Sequence, residues 1–440
     1  MLVFTIAILL VISLLSIQGC TRKKPVQLEM VSRTELGTGF ASSAVNVSIF
    51  RQAGMITDGP TEWVAFYDAD GYPAITRLSY NSPPERIARI QPSPGLPTLG
   101  DGHCVISIGS SDDGYLHVIY GAHGVQPYYA RIALPISSNS VFTATLWSDK
   151  LTYPQFYRTD GLFHLVFRDD TSHRISSRIY QSGTWGPISS QWSLDPGTFQ
   201  SVYIQRLAVV GSEIALTWMY RLPPTPDDIV RNQGLFTLRS LDAGATWRDL
   251  SGQVYQLPLE QGLVPELTVV GPNSGLMNQC CSTWGPDHRL YITSLHQDDA
   301  GIEQVHLLTV DFESSSLQKE AITQNTEAFE IKGGGTLVLP LSRPEVVVSK
   351  HQVYVIYRDT DRMVIASRGI LPNSVHSWSY QSFSDGVPLG AWEPILDHDA
   401  WEKHHRLRIY VQSARQGPRD TESPGPPETA ELLEFRERLR

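Results

Sequence analysis

Four cysteines in 440 residues are too few for a disulfide scaffold. Basic tracts are missing too: 35 Lys and Arg stand against 45 Asp and Glu, a formal charge of −10, the wrong sign for a nucleic-acid partner. Charged residues make up only 18% and hydrophobic residues 41%, which excludes a disordered chain. Long helical patterns are also lacking. Between about residues 60 and 410, short runs rich in Val, Ile, Tyr, Phe and Trp alternate with Asp-Gly, Gly-Ser and Pro turns. Turn-formers are abundant, with 34 Gly and 29 Pro, and so are flat faces, with 10 Trp, 18 Tyr and 14 Phe. This is the composition of a turn-rich β protein.

The one long apolar run is Met1–Gly19, which leads into Ser16-Ile17-Gln18-Gly19-Cys20. It has the length of a signal-peptide core and is short for a membrane span. Gly before Cys resembles a bacterial lipobox. The expectation is a signal peptide over 1–19 and lipid on Cys20, with an exported chain anchored in the cell envelope; simple secretion is the alternative. Without Cys20, three cysteines remain, Cys104, Cys280 and Cys281, an odd number for an exported protein.

Several segments share one shape, a turn followed by an apolar strand: Glu62–Tyr67, Asp113–Tyr120, Asp160–Phe167, Gly211–Trp218, Arg289–Thr293 and His351–Tyr357. They recur at roughly 50-residue intervals, and repeats of that length, each holding several strands, are the mark of propeller blades. The reading is all-β, a single β-propeller over 46–414 with six visible copies and a seventh blade assembled from both chain ends near Leu407–Gln412, six blades being the alternative. A linker is expected over 20–45 and a disordered tail over 415–440, where Pro and Gly cluster. Ser240–Trp247 fits the sialidase-like Asp box S-x-D-x-G-x-T-W. Asp and Gly there make a tight hairpin and Trp packs between blades, so the motif reports fold and not substrate.

Candidate chemistry gathers at strand ends. His103 precedes one apolar strand and His123, between two glycines, follows the next. The start of one strand and the end of its hairpin partner share an edge, so both imidazoles reach one rim, where they can move protons near neutral pH. Tyr153 and Arg168 flank the next hairpin in the same way, and Trp218 and Arg221 end another strand in T-W-x-x-R. An Arg at such a rim grips a carboxylate through two parallel N–H bonds.

The order His, His, Tyr-Pro, strand-Arg, T-W-x-x-R and Asp box, with Ser342-Arg343-Pro344 and Trp392-Glu393-Pro394 later, resembles the seven-bladed propeller polysaccharide lyases acting on ulvan, and more broadly the BNR-4 repeat proteins. The resemblance spans roughly residues 60–412. It implies β-elimination at a uronic acid of an anionic polysaccharide: His123 takes the C5 proton, Arg168 and His103 bind the carboxylate, the two histidine roles being interchangeable, and Tyr153 protonates the leaving O4, with Arg221 and Trp218 binding substrate. One departure is Asp169-Asp170-Thr171-Ser172-His173, where a Gly-rich stretch is expected. The net charge of −10 is no obstacle, because a rim of Arg and His acts within a Debye length of about 8 Å.

No cofactor is required for this chemistry. The resemblance also implies a structural metal, for which Cys280, Cys281, His296 and His306 are the zinc candidates, although adjacent cysteines lack C-x2-C spacing. The chain is expected to be a monomer that touches a membrane only through its lipid. Two rivals stand: a sialidase-like glycoside hydrolase, for which no F-R-I-P-type start is found, and a non-catalytic carbohydrate-binding propeller.

Overall fold

The computed structural model describes residues 27–79, 83–92, 95–223, 225–227, 229–370, 377–383 and 388–438. Residues 1–19 and Cys20, the expected signal and lipidation site, lie outside them.

The described residues form antiparallel meanders arranged in chain order. Thr61–Tyr67 is an example of an inner strand: all but its first residue is buried, because neighbouring sheets cover both faces. The outermost strand Ser316–Ala321 is largely exposed and polar. Six apolar clusters each bridge consecutive meanders. One joins residues of Trp63–Ile90 to Ile106–Ala144, and the next joins Ile119 to Phe156–Tyr180. Further clusters carry the contact from Val166 to Leu238, on to Ile292–Val310, and from Tyr291–Leu307 to Val346–Ala366. The last packs Tyr354 and Ile365 with Tyr410, Leu432 and Phe435 against Val64 and Phe66, which closes the ring. This is a single all-β propeller.

Hydrogen bonding corrects the expected blade count. Five sheets have four or more strands and one has three, instead of seven separate blades. One sheet has eight strands because the meanders Met55–Pro92 and Ile106–Leu146 are joined by parallel pairing of Glu85–Pro92 with Ser140–Leu146.

The three-stranded sheet corrects two further expectations. Gln27–Gly39, expected in a linker, is a strand, and Glu428–Arg438, expected in a disordered tail, pairs with it on one side and with Leu407–Val411 on the other. The charged residues of Glu428–Arg438 hid its buried Ala430, Leu432, Leu433 and Phe435. The Pro-Gly stretch before it is a loop returning the chain to the ring: Gln416 Nε2 donates to Gly100 O and Ser423 N to Ser42 O.

In the turn Ser240–Trp247, Asp242 accepts from Thr246 N and Oγ1, Gly244 N donates to Ser240 Oγ, and Trp247 is fully buried. The one α-helix of the described residues, His398–His404, is capped by Asp397, whose carboxylate accepts from Ala400 N.

Candidate functional site

Ile106–Ser111 and Tyr115–Tyr120 pair with Ile106 opposite Tyr120, so the segments before and after this hairpin emerge at one edge. His103 lies in the incoming segment and His123 in the outgoing one. Asp101 precedes His103 in a tight turn in which its Oδ1 accepts from His103 N at 2.9 Å. A side chain at Gly102 would collide with Thr336, its Cβ falling 2.7 Å from Thr336 Oγ1, so glycine is what lets the turn seat against that loop.

Leu151–Thr159 and Leu162–Asp169 form the second hairpin, with Thr152 opposite Arg168. The register skips between Thr152 and Gln155, and Tyr153 has φ 59°, a left-handed conformation rare for a non-glycine residue. A bulge of this kind re-aims a side chain. Tyr153 is turned inward, 5.3 Å from Phe50 and 5.8 Å from His103 between ring centroids.

His103, His123, Tyr153 and Arg168 line one cavity of about 340 Å³, together with Arg221 and Arg343. Its wall is a stack. The Arg343 guanidinium lies 4.3 Å from the Phe50 centroid, Phe50 lies 4.3 Å from His103, and His103 lies 4.2 Å from His123 at 18°. One carboxylate joins the imidazoles: His103 Nδ1 is 2.6 Å from Asp101 Oδ1, and His123 Nδ1 bonds Asp101 Oδ2. His103 is 6% exposed, whereas the His123 side chain is 30% exposed and faces the opening.

Burial, helped by His123, pushes the His103 pKa down despite Asp101. Burial also disfavours charge on Asp101, but the hydrogen bonds and charges of the two histidines outweigh it and hold its carboxyl well below the usual range. Burial and then Tyr203 push the Tyr153 phenol well up, against Arg168 and Arg343, so it keeps its proton.

Arg168 is 7% exposed and bonds Asp170 Oδ1 through Nε at 2.8 Å and Nη2 at 2.7 Å. Asp170 Oδ2 also accepts from Gly124 N and Thr152 Oγ1, tying the arginine hairpin to the histidine one. The departure at Asp169–His173 therefore supplies the counter-ion of the arginine. Arg343 is similarly gripped by Glu393 through Nε and Nη2. Among the described residues, the Arg221 guanidinium makes one long bond, 3.4 Å to Asn232 Oδ1.

Trp218 is a correction. It is fully buried and stacked on Phe236 at 5.4 Å, in the core beside its sheet, so it cannot meet a ligand; only Arg221, at the strand end, reaches the cavity. The expected metal set is corrected as well. His296 and His306 stack on each other on paired strands, and neither they nor Cys280 belongs to a metal-competent group among the described residues. Cys281 groups instead with Glu345 and His398, all three buried, with donor atoms within 4.8 Å of one another. Cys281 Sγ lies 3.9 Å from His398 Nε2, which lies 2.9 Å from Glu345 Oε2. Thiolate, carboxylate and imidazole are donors that fit zinc.

Sequence reasoning missed Asp101, although it stands two residues before His103. It also missed Asp420, which accepts from Thr336 N at 2.6 Å and has its Oδ1 3.7 Å from His103 Nδ1. Asp420 was hidden by the tail assignment, and no local pattern marks Phe50 or Tyr203.

Residues 61–324 match the BNR repeat-containing family. The fold is similar to that of a PL25 ulvan lyase bound to GlcA(1-4)Rha3S, with a TM-score of 0.61 and 12% identity over 92% of this chain and 94% of that one. It is also similar to the polysaccharide lyase Uly1, with a TM-score of 0.60 and 13% identity over 93% and 98%. No curated protein matches the chain.

Proposed function

The chain belongs to the BNR repeat-containing family, and from that premise we propose that it is a polysaccharide lyase, cleaving a uronic-acid-containing, ulvan-like anionic polysaccharide by β-elimination. The observation that carries this reading is the single cavity shared by two imidazoles, a buried phenol and an arginine.

The C5 proton of a uronate becomes removable when the adjacent carboxylate is neutralised by donors in a site shielded from water. Asp170 occupies one edge of Arg168, and the remaining N–H groups take the carboxylate, while His103, whose charge burial disfavours, stays neutral beside the base. His123 accepts the C5 proton at Nε2. The electron pair left on C5 forms the C4=C5 bond as C4–O4 breaks, and Tyr153 gives its phenolic proton to O4. A phenol whose pKa is raised by burial holds that proton until O4 develops charge. Arg221 binds a neighbouring acidic group. A zinc ion at Cys281, Glu345 and His398 would be structural, cross-linking the ring, and no step passes through it.

A polysaccharide is met outside the cell, so export and a lipid anchor at Cys20 belong to the same reading. The test is a panel of ulvan, alginate, pectin and glycosaminoglycans followed by ultraviolet absorbance. A rise marks a 4,5-unsaturated uronate and supports the lyase. New reducing ends without absorbance indicate the hydrolase, and binding without cleavage indicates a carbohydrate-binding propeller.

A further inference from the structure

Both imidazoles of the stacked pair turn the same atom, Nδ1, toward the same carboxylate. An ionised carboxylate only accepts hydrogen bonds, so each Nδ1 must carry a hydrogen. The ring nitrogens point to opposite sides of an imidazole, which leaves both Nε2 atoms directed away from Asp101. We propose that Asp101 is a positioning residue that holds His103 and His123 together as Nδ1–H tautomers, so that every proton the pair exchanges passes through the two Nε2 atoms on the cavity side.

The surroundings agree. Among the described residues, His103 Nδ1 faces Asp101 Oδ1, Asp420 Oδ1 at 3.7 Å and Thr336 Oγ1 at 3.4 Å, whose own hydrogen goes to Asp420, so all three can accept. Asp101 is fixed on its own side, since its Oδ1 also accepts from His103 N and its backbone carbonyl from Cys104 N. When either histidine gains a proton at Nε2, Asp101 already stands against the new charge, as a carboxylate that orients a catalytic imidazole does. The stacked rings, 4.2 Å apart on one carboxylate, repel each other when both are charged, so one proton at a time is favoured. The ionisable groups around the pair are Tyr153, Cys104, Asp420, the cavity-lining Arg168, His173 and Arg221 and, beyond Phe50, Arg343; the first two stay neutral around pH 7 because burial raises both.

The catalytic consequence rests on the lyase reading, but the tautomers do not. The full chain, labelled with 15N-histidine, is examined by long-range 1H–15N correlation at alkaline pH, with signals assigned through His103→Gln and His123→Gln. Both rings are expected to show protonated Nδ1 and bare Nε2. In Asp101→Asn the side chain offers one acceptor oxygen and an NH2, so one ring should switch to Nε2–H. Turnover should then fall about 100-fold or more with KM changed less than about threefold, and the pH profile of kcat should move with the switched ring. Nε2–H on either ring of the unsubstituted protein, the tautomer that a metal ion on Nδ1 would also impose, overturns the proposal. So does an Asp101→Asn protein with both tautomers and kcat unchanged. If Asp101→Asn does not fold, the unsubstituted spectrum decides alone. If no polymer is turned over, the lyase reading fails while the spectrum still decides the role of Asp101.

Discussion

Among the described residues, two stacked histidine pairs have nearly the same geometry and opposite characters. His103 and His123 lie 4.2 Å apart at 18°, and His296 and His306 lie 3.9 Å apart at 16°. The first pair sits on segments outside a hairpin, shares Asp101 and borders a cavity. The second sits within paired strands, where Ser294 contacts His296 Nδ1 while His296 Nε2 and His306 Nδ1 have no partner among the described residues. Burial, then His306, drives His296 down to about 2; burial, then Lys319, drives His306 down to about 4. Two imidazoles in contact are therefore not yet a site. A carboxylate to receive the charge and an opening to admit a ligand make the difference.

The comparison is broken most strongly at His123. His123→Ala should lower turnover about 1,000-fold or more while polysaccharide binding measured by calorimetry persists, whereas His296→Leu should leave turnover within about twofold. Trp218→Ala should act through the blade interior, costing about 3–5 kcal/mol in denaturant unfolding with little change in the KM of what folds. Arg168→Lys keeps the charge but loses the planar fork to Asp170 and substrate, and should cost about 100-fold in kcat/KM. The smallest effect concerns acid. Because His296 and His306 are neutral in the fold with depressed pKa values, the unfolded chain binds more protons below about pH 6.5. Their contribution to stability is thus present above that pH and lost progressively as pH falls toward 4. Chemical unfolding between pH 4 and 7 should show a shallower slope for the double variant His296→Leu, His306→Leu.

The parts of this site legible in the sequence were those set by hairpin geometry. His103 with His123, and Tyr153 with Arg168, follow from strand starts and ends meeting at one edge, and the structure brings all four to one cavity. Trp218 was misread because a strand-end argument extends only to the last residue or two, and three residues inward the side chain already belongs to the core. Phe50 and Asp420 were invisible because ring closure, not sequence proximity, carries them to the histidines, and Arg343, noted only as part of Ser342-Arg343-Pro344, reaches Phe50 by the same closure. The terminal strand Glu428–Arg438 was lost for the opposite reason: its composition is that of a polar tail, and its role depends on Gln27–Gly39, some 400 residues away. The blade count failed on the parallel seam between Glu85–Pro92 and Ser140–Leu146, an inter-blade pairing that no local repeat announces.

The measurement that bears most directly on the distinction between the two pairs is the ultraviolet absorbance of ulvan incubated with the unsubstituted protein, with His123→Ala and with His296→Leu, His306→Leu. A rise from the unsubstituted protein and the core double variant, and none from His123→Ala, is the predicted result. Equal absorbance from all three, or loss of product only in the core variant while His123→Ala remains active, would contradict a chemical centre at the Asp101-clamped pair.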